Sequence, residues 1–532
     1  MSQINVNVLN LASNALSQLR YGSSIDSRNI NNADNPYYVR SLAVSEIDDA
    51  GMMKISSKRM SNYFLTSTLN HSTSDLEFAK ERKSLAESVD TIVTGVVPTN
   101  DGKSANPISQ ALSDIIRAAN GIASDDTYSS RNTFLSRIKA LMSVVGGVEG
   151  NLEASRNNID SEVVNNVSKL NSLATQISKL NKRMLTNPNG DGLLLQRDTL
   201  IGEMSKLAKV DVDVNKNGSV DIRIGAGYTL VSGRHAYKVK AEYDEYGSGR
   251  QIAISGDVVN PSKIGGQLGA SIKSRDDIVR RSESSLARVV VGYMGEMNRI
   301  NQSGYVESGA KGNALFEIPS LSSVASSNNK GDATVTVGLD SDKIADLQSP
   351  LILIRTTGGY EVKQYGTDNT VKLSTLPASA FGFKISSVGS MSVGDSFKID
   401  PLPEMLSSTV MNAKEDDIAA ATKSPVNAGD KSNIENFANI ADRKIFNGST
   451  DTVVNELANT FVRIGNRAVT AAQEVDSSKS INKDARSRWD NLSGVNTQEE
   501  EMNIVRLQQT YQSAAKIISA SKDMFNSLIS VI

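Results

Sequence analysis

The chain has 532 residues, which favours about three or four domains. Hydrophobic residues make up 39% and aromatics only 5%, a composition suited to long thin helical packing rather than a large enzyme core. A net charge of −2 without a long single-sign block argues against tight binding to nucleic acid or an anionic membrane, and the lack of cysteine excludes disulfides, thiolate catalysis and Cys-ligated metals. No window approaches the ~18 consecutive apolar residues of a membrane span. The opening MSQINVNVLN has neither a basic nor a long apolar region, so no ordinary signal peptide is expected.

In the first 20 residues Ile4, Val8, Leu11, Ala15 and Leu19 recur at helical spacing, widened by Leu9, Ala12 and Leu16. They predict an amphipathic helix that Gly22 interrupts. The run from Asn29 through Asn32, Asn35 and Pro36 to Tyr38 predicts a turn-rich loop. Helices are predicted at roughly 55–95, 107–123, 128–147, 150–186 and 193–208. Pro98, Pro107, Gly146-Gly147 and Asn187-Pro188-Asn189-Gly190 are the expected breaks.

Period two then takes over. Val210, Val212 and Val214 alternate with Asp, Asn217-Gly218 makes a turn, and Val220, Ile222 and Ile224 alternate back, so a hairpin is predicted. Strand-like stretches continue to about residue 260, and a helix is expected at 270–302. A second β-rich block follows, with strands near 333–338, 350–355, 360–365, 370–374, 381–388 and 395–399. Helices return at roughly 413–421 and 432–476.

The final helix is expected to start near Thr497, where Thr497 and Glu500 form a capping-box pattern. Ile504, Leu507, Tyr511, Ala514, Ile518, Ser521, Phe525, Leu528 and Ile532 step by three and four along it. That is a heptad seam, holding about 10–20 kcal/mol of burial as an upper bound. A seam this long at a chain end points to assembly with other helices.

The predicted fold is mainly α with inserted β domains. An out-and-back helical rod pairs its N- and C-terminal coiled-coil helices at one end. The expected divisions are a terminal assembly domain (1–50 and 484–532), a helical rod (51–207, 265–312 and 404–483), a small β hairpin subdomain (208–264) and an outward-facing β domain (313–403).

Enzyme motifs fail on inspection. His71 and His235 have no metal-like spacing. Asp101-Gly102-Lys103-Ser104 ends like a phosphate loop, but Val97 stands where its first glycine belongs. Asp213, Asn215, Asn217, Gly218 and Asp221 mimic a calcium loop, yet Ile224 replaces the closing Glu and the hairpin explains the same residues. The Gly225-Ala226-Gly227 and Gly247-Ser248-Gly249 pieces lack the strand–turn–helix setting of a dinucleotide site. With two histidines, a Ser-His-Asp triad is not expected. No catalytic, metal or cofactor site is predicted.

Several motifs resemble one family. Ser493-Gly494-Val495-Asn496, Glu499-Glu500-Glu501 and Leu507-Gln508-Gln509-Thr510-Tyr511-Gln512-Ser513-Ala514-Ala515-Lys516 resemble the C-terminal signature of flagellar hook-associated protein 1, the hook–filament junction family. The Asn29–Tyr38 loop is similar to the N-terminal motif of flagellar axial proteins, with Tyr37 standing where Gly is usual. Leu195-Gln196-Arg197-Asp198-Thr199-Leu200 resembles the family's L-x-Q-R-D-x-L segment, and Gly265-Gly266-Gln267-Leu268 with Arg275-Asp276 its GG-x-L … RD turn. Asn298, Gly304, Gly309, Gly312 and Leu315-Phe316 follow its glycine-spaced run, with Asn301 in place of a common His.

The resemblance implies a non-enzymatic, extracellular axial protein of the bacterial flagellum. It implies export unfolded through the type III route, then assembly between hook and filament. The implied partners are copies of itself, hook protein, the second junction protein, the filament and an export chaperone. The alternative is another axial protein, hook or flagellin-like. Each terminal stripe is expected to bury against the other or against neighbouring copies; in the monomer the two helices, unable to bury their stripes well alone, are expected to be largely disordered.

Overall fold

The structure is a computed structural model that describes residues 2–47, 53–95, 97–98, 104–186, 190–225, 227–427 and 429–529. α1 (Ser2–Asn31) leads into a hairpin of β1 (Ser41–Ile47) and β2 (Met53–Arg59). α2 (Tyr63–Thr94) starts where Asn62 Oδ1 accepts the Leu65 amide. A short pair, β3 (Val97–Pro98) and β4 (Ser104–Ala105), precedes α3 (Pro107–Ser124), which Asn106 caps with proline at its first turn. α4 (Tyr128–Met184) and α5 (Asp191–Leu207) follow.

The small β region begins with the four-stranded antiparallel sheet of β5 (Val210–Val214), β6 (Val220–Ile224), β7 (Tyr228–Ser232) and β8 (His235–Ala236). Val210 pairs with Ile224 and Val214 with Val220, the hairpin read from the sequence. A three-stranded sheet of β9 (Val239–Tyr243), β10 (Arg250–Ile254) and β11 (Asp257–Val258) completes it. α6 (Pro261–Ile264) and α7 (Gly266–Ser274) run through a π-helical segment (Arg275–Arg280) into α8 (Arg281–Ser303).

The second β block is two antiparallel sheets. One orders Leu321–Ser322, Thr334–Leu339, Phe383–Val388 and Ala378–Ala380; the other orders Val324–Ala325, Ser396–Ile399, Leu351–Thr356, Gly359–Gln364 and Thr370–Leu373. α9 (Leu402–Ser408), α10 (Ile434–Ala438), α11 (Val453–Ser493) and α12 (Thr497–Ile529) return the chain.

The return is antiparallel and in register. Trp489 Nε1 reaches Thr66, Asn482 Nδ2 reaches Ser72 and Thr73, and Arg82 pairs with Glu474 at 3.2 Å, so α11 runs back along α2. α12 runs back along α1 in the same sense, with Asn29 against Glu500 and Gly22 against Leu507. The mainly-α rod with paired terminal helices is thus the fold observed.

Four expectations change. The predicted helix from residue 55 begins at Tyr63, because 53–59 is β2. Gly146-Gly147 breaks nothing: α4 is one helix of 57 residues. Its stripe of Leu141, Val145 and Leu152 stays buried across the glycines, and that burial outweighs about 1 kcal/mol per glycine. The helix expected at 413–421 is a 3-10 turn at Glu415–Asp417 followed by irregular chain. There Asn301 takes the backbone: its Nδ2 donates to Asp417 O and its Oδ1 accepts the Ala419 amide, both at 2.8 Å. The helix expected at 432–476 is interrupted at 444–452, where Asn447, Gly448 and Ser449 all have positive φ. The Asn187–Asn189 turn and residues 101–103 of the phosphate-loop look-alike lie outside the described residues.

Candidate assembly interface

Two helices 470 residues apart in sequence meet through a single seam. On α12, Ile504, Leu507, Ala514, Ile518 and Ser521 are half-buried, whereas Met502, Val505, Gln508, Gln509 and Ile517 are exposed. Tyr511 sits at the seam's edge with 37% exposure. On α1, Ala15 and Leu19 are half-buried, and Gly22 and Ile25 are buried. Gly22 does not end the helix as expected. A methyl there would lie 3.3 Å from Leu507 Cδ1, so the glycine is the hollow that admits Leu507.

The stripes therefore cover each other within one chain, as the predicted pairing of the terminal helices requires. Yet among the described residues no α12 position beyond Glu500 is fully buried, so the pair completes only part of the burial there. The side chains of Ile4, Val8, Leu11, Phe525 and Leu528 lie outside the described residues, as does Ile532.

A polar node closes the seam where it meets the rod. Asn29 is fully buried and uses all four of its hydrogen-bonding positions. Its Nδ2 donates to Ser41 O at 2.9 Å and to the Glu500 carboxylate at 3.0 Å, while Oδ1 accepts from the Tyr38 hydroxyl at 2.8 Å and the Ser41 amide at 3.1 Å. Arg40 donates its amide to Ser493 O at 2.8 Å. Its guanidinium pairs with Glu499 at 2.9 Å and Glu500 at 2.5 Å. Asp26 faces Glu500; burial first, then this second carboxylate, push its carboxyl up to about 6.

Asn496, not Thr497, caps α12. Its Oδ1 accepts the Gln498 and Glu499 amides at 3.2 and 3.4 Å. The expected capping box is absent because Glu500 turns instead to Asn29 and Arg40.

The remaining motif residues are structural supports. Asn32 Nδ2 donates to Arg28 O, Asn35 Oδ1 accepts the Tyr37 amide at 3.0 Å, and Pro36 O accepts from Arg486 at 2.5 Å. Tyr37 has no left-handed backbone. Its ring lies against Gly202, where any side chain would collide, and its hydroxyl reaches Glu203 at 3.1 Å. Arg197 donates to Gly218 O at 2.8 Å and pairs with Asp198, which also takes Arg59 of β2 at 2.6 Å. Gly265 and Gly266 have φ of 64° and 54°, and a methyl on Gly266 would meet Leu207 backbone carbon at 2.5 Å. Gly494 carries the amide that ends α11, bonded to Asp490 O at 2.9 Å. Gln508 and Gln509 point to solvent and take no part in the seam.

The weighed chemical motifs resolve into structure. His71 Nε2 lies 3.1 Å from Val210 O and 2.9 Å from Asp211. His235 is exposed on β8. Asp213 pairs with Arg223, and Asn215 Nδ2 donates to Asp221, so the calcium look-alike is a hairpin held by side chains. Among the described residues no group of three His, Cys, Asp or Glu side chains could hold a metal ion.

Two buried clusters carry no local sequence signal. One is Asp26 and Arg40 at the polar node. The other joins Glu149 and Arg156 of α4 to Glu283 of α8 beside a cavity of about 350 Å³, where Lys398 and Asp400 of the outer β block also face inward. Burial first, and Glu149 with Asp400 besides, push the Glu283 carboxyl up to about 8 against the opposing Arg156.

Comparison with known proteins fits this geometry. Residues 100–316 match the family described as "Flagellar hook-associated protein FlgK helical domain", and residues 490–531 match "Flagellar basal body rod FlgEFG protein C-terminal". Flagellar hook-associated protein 1 of Salmonella typhimurium is 25% identical over 447 residues, covering 77% of this chain and 78% of that protein. The Escherichia coli K12 protein of that name is 24% identical over 69% of this chain and 70% of its own, and the Bacillus subtilis one 21% over 82% and 78%. The flagellar hook junction protein FlgK from Burkholderia pseudomallei shares the fold, with a TM-score of 0.71 and 18% identity over 80% of this chain and all of that one. The chain resembles flagellar hook-associated protein 1 over most of its length, and these likenesses with the shared fold support an axial structural role in the flagellum.

Proposed function

We propose that this chain is the joint between hook and filament. It acts by self-assembly and carries out no reaction. The observation that carries the reading is the half-covered seam of α1 and α12, a surface that a ring of copies would complete. The two motifs at the rod end of that seam, Asn29 to Tyr38 and Ser493 to Asn496, hold it to the rod through Asn29, Arg40 and Ser493.

The partners in this reading are neighbouring copies, hook protein on one side and the second junction protein with the filament on the other. An export chaperone would cover the seam beforehand. Export would run unfolded through the flagellar type III channel, a route that a chain without cysteine passes without cross-linking. Deleting the gene in its own organism tests the reading: hooks without filaments are expected by electron microscopy, and complementation should restore filaments. Filaments of normal length on the deletion strain would refute it.

A further inference from the structure

β5 ends its sheet. The Asn215 amide donates to Ser219 O at 2.8 Å, which fixes the alternation of the β5–β6 pair. Asp211 and Asp213 then exchange backbone bonds with β6, while Val210, Val212 and Val214 direct their N–H and C=O away from it. α2 covers the start of this edge, where His71 Nε2 meets Val210 O at 3.1 Å. Past that point the edge opens beside a groove of about 350 Å³ walled by Tyr37, Tyr63, Thr66, Val212 and Val214. Tyr63 and Val214 in its wall stand exposed. An open strand edge beside apolar side chains is a template for strand addition.

The complementary element lies on the same chain. β1 and β2 form a sheet of only two strands, an arrangement that is marginal by itself. Asn29 lies against β1 through Ser41, which makes β2 the outer strand. β2 reads Met53-Lys54-Ile55-Ser56-Ser57-Lys58-Arg59, so positions 54, 56 and 58 share one face and 55 and 57 the other. On β5 the aspartates share one face and the valines the other. Laid antiparallel with Ser56 opposite Asp213, or parallel with Ser56 opposite Asp211, β2 brings Lys58 opposite the other aspartate. Within one chain the two strands belong to separate sheets, although Arg59 already anchors the foot of the hairpin to Asp198 in the groove wall.

We propose that β2 of one copy adds to the open β5 edge of a second copy, with Lys58 against the face that carries Asp211 and Asp213. This contact rests on the self-assembly reading and makes it specific: it ties each terminal-helix pair to the rod of a neighbour.

The chain contains no cysteine, so introduced pairs report cleanly. Full-length Ser56→Cys/Asp213→Cys and Ser56→Cys/Asp211→Cys variants would be expressed in the deletion strain, and purified hook–filament structures oxidised. A disulfide ladder of this chain on non-reducing gels is expected for at least one pair, and none for the single variants. In the Ser56→Cys/Asp211→Cys variant, Lys58→Glu should lower ladder yield at least fivefold, and Asp213→Lys in the same chain should restore it. A disulfide closed within one chain, a cross-link to another protein, or intact filaments without a ladder would each overturn the strand pairing while leaving the junction reading in place. Failure of the cysteine-free wild-type chain to restore filaments would instead overturn the junction reading.

Discussion

Asn29 of α1 donates its side-chain amide to the Glu500 carboxylate of α12 across 3.0 Å, joining residues 471 apart in sequence. The same amide group holds Ser41 by both its N–H and its C=O. It therefore stands in for a neighbouring strand at the start of β1, and it fastens the terminal helices to the rod with one side chain.

Asn29→Ala should detach that fastening. It would leave the Ser41 amide, the Tyr38 hydroxyl and part of the Glu500 carboxylate without this partner. Each unsatisfied buried group costs about 1–3 kcal/mol. Hydrogen exchange at residues 25–31 and 500–507 should speed at least tenfold, with α2 and α11 unchanged.

The seam has its own prediction. Leu507 fills the hollow at Gly22, and Ile518 lies along the same line. Leu507→Asp or Ile518→Asp would place a carboxylate in that seam, at a cost of several kcal/mol once neighbours cover it. Purified variants should melt like the parent, because the rod core is untouched. In cells they should fail to restore filaments. Normal swimming with either variant would remove the seam from the assembly.

How far the sequence reaches can be judged from these residues. The heptad steps of α12 were readable because burial imposes a period on one helix, and the half-buried positions fall on that period. The Val210–Ile224 hairpin was readable for the same local reason. Gly22 misled, since a glycine marks equally a helix break and a hollow for another side chain. The Asn301-directed loop was hidden because a residue more than a hundred positions away decides it, whereas the Asn496 cap is local and was masked by the competing Thr497 and Glu500 pattern. Asp26 and Arg40 gave no signal at all: each is an ordinary charged residue until Glu500 arrives from the other end of the chain.

Acidity should tighten the terminal pair. The Asp26 carboxyl is raised from 3.8 to about 6, so between those values the folded pair keeps a proton that the unfolded chain has released. Stability from this group is present at low pH and is lost as pH rises through about 6. Protease resistance of the terminal pair should fall over that window. Asp26→Asn should flatten the profile and raise resistance at pH 7.

Glu283 makes the parallel case at the outer β block. Its carboxyl is raised from 4.5 to about 8 by burial, so its contribution is lost as pH climbs through that range. Glu149, Glu153, Arg156, Arg280, Lys398, Asp400 and Glu404 surround it. The Tm of the rod should drop between pH 6 and 9, and Glu283→Gln should remove most of that drop.

Gly266→Ala should destabilise the rod directly. The position has φ of 54°, and the added methyl meets the backbone between Leu207 and Ala208. Strain of this kind costs about 1–3 kcal/mol before the clash is counted. A lower urea midpoint with an unchanged slope is expected.

The most direct test compares backbone hydrogen exchange over residues 504–525 in dilute monomer and in assembled hook–filament structures. If neighbours complete the half-covered seam, exchange there should be fast in the monomer, far faster than in α2 and α11, and slow by orders of magnitude on assembly. Protection in the dilute monomer already equal to that of α2 and α11 would contradict the account.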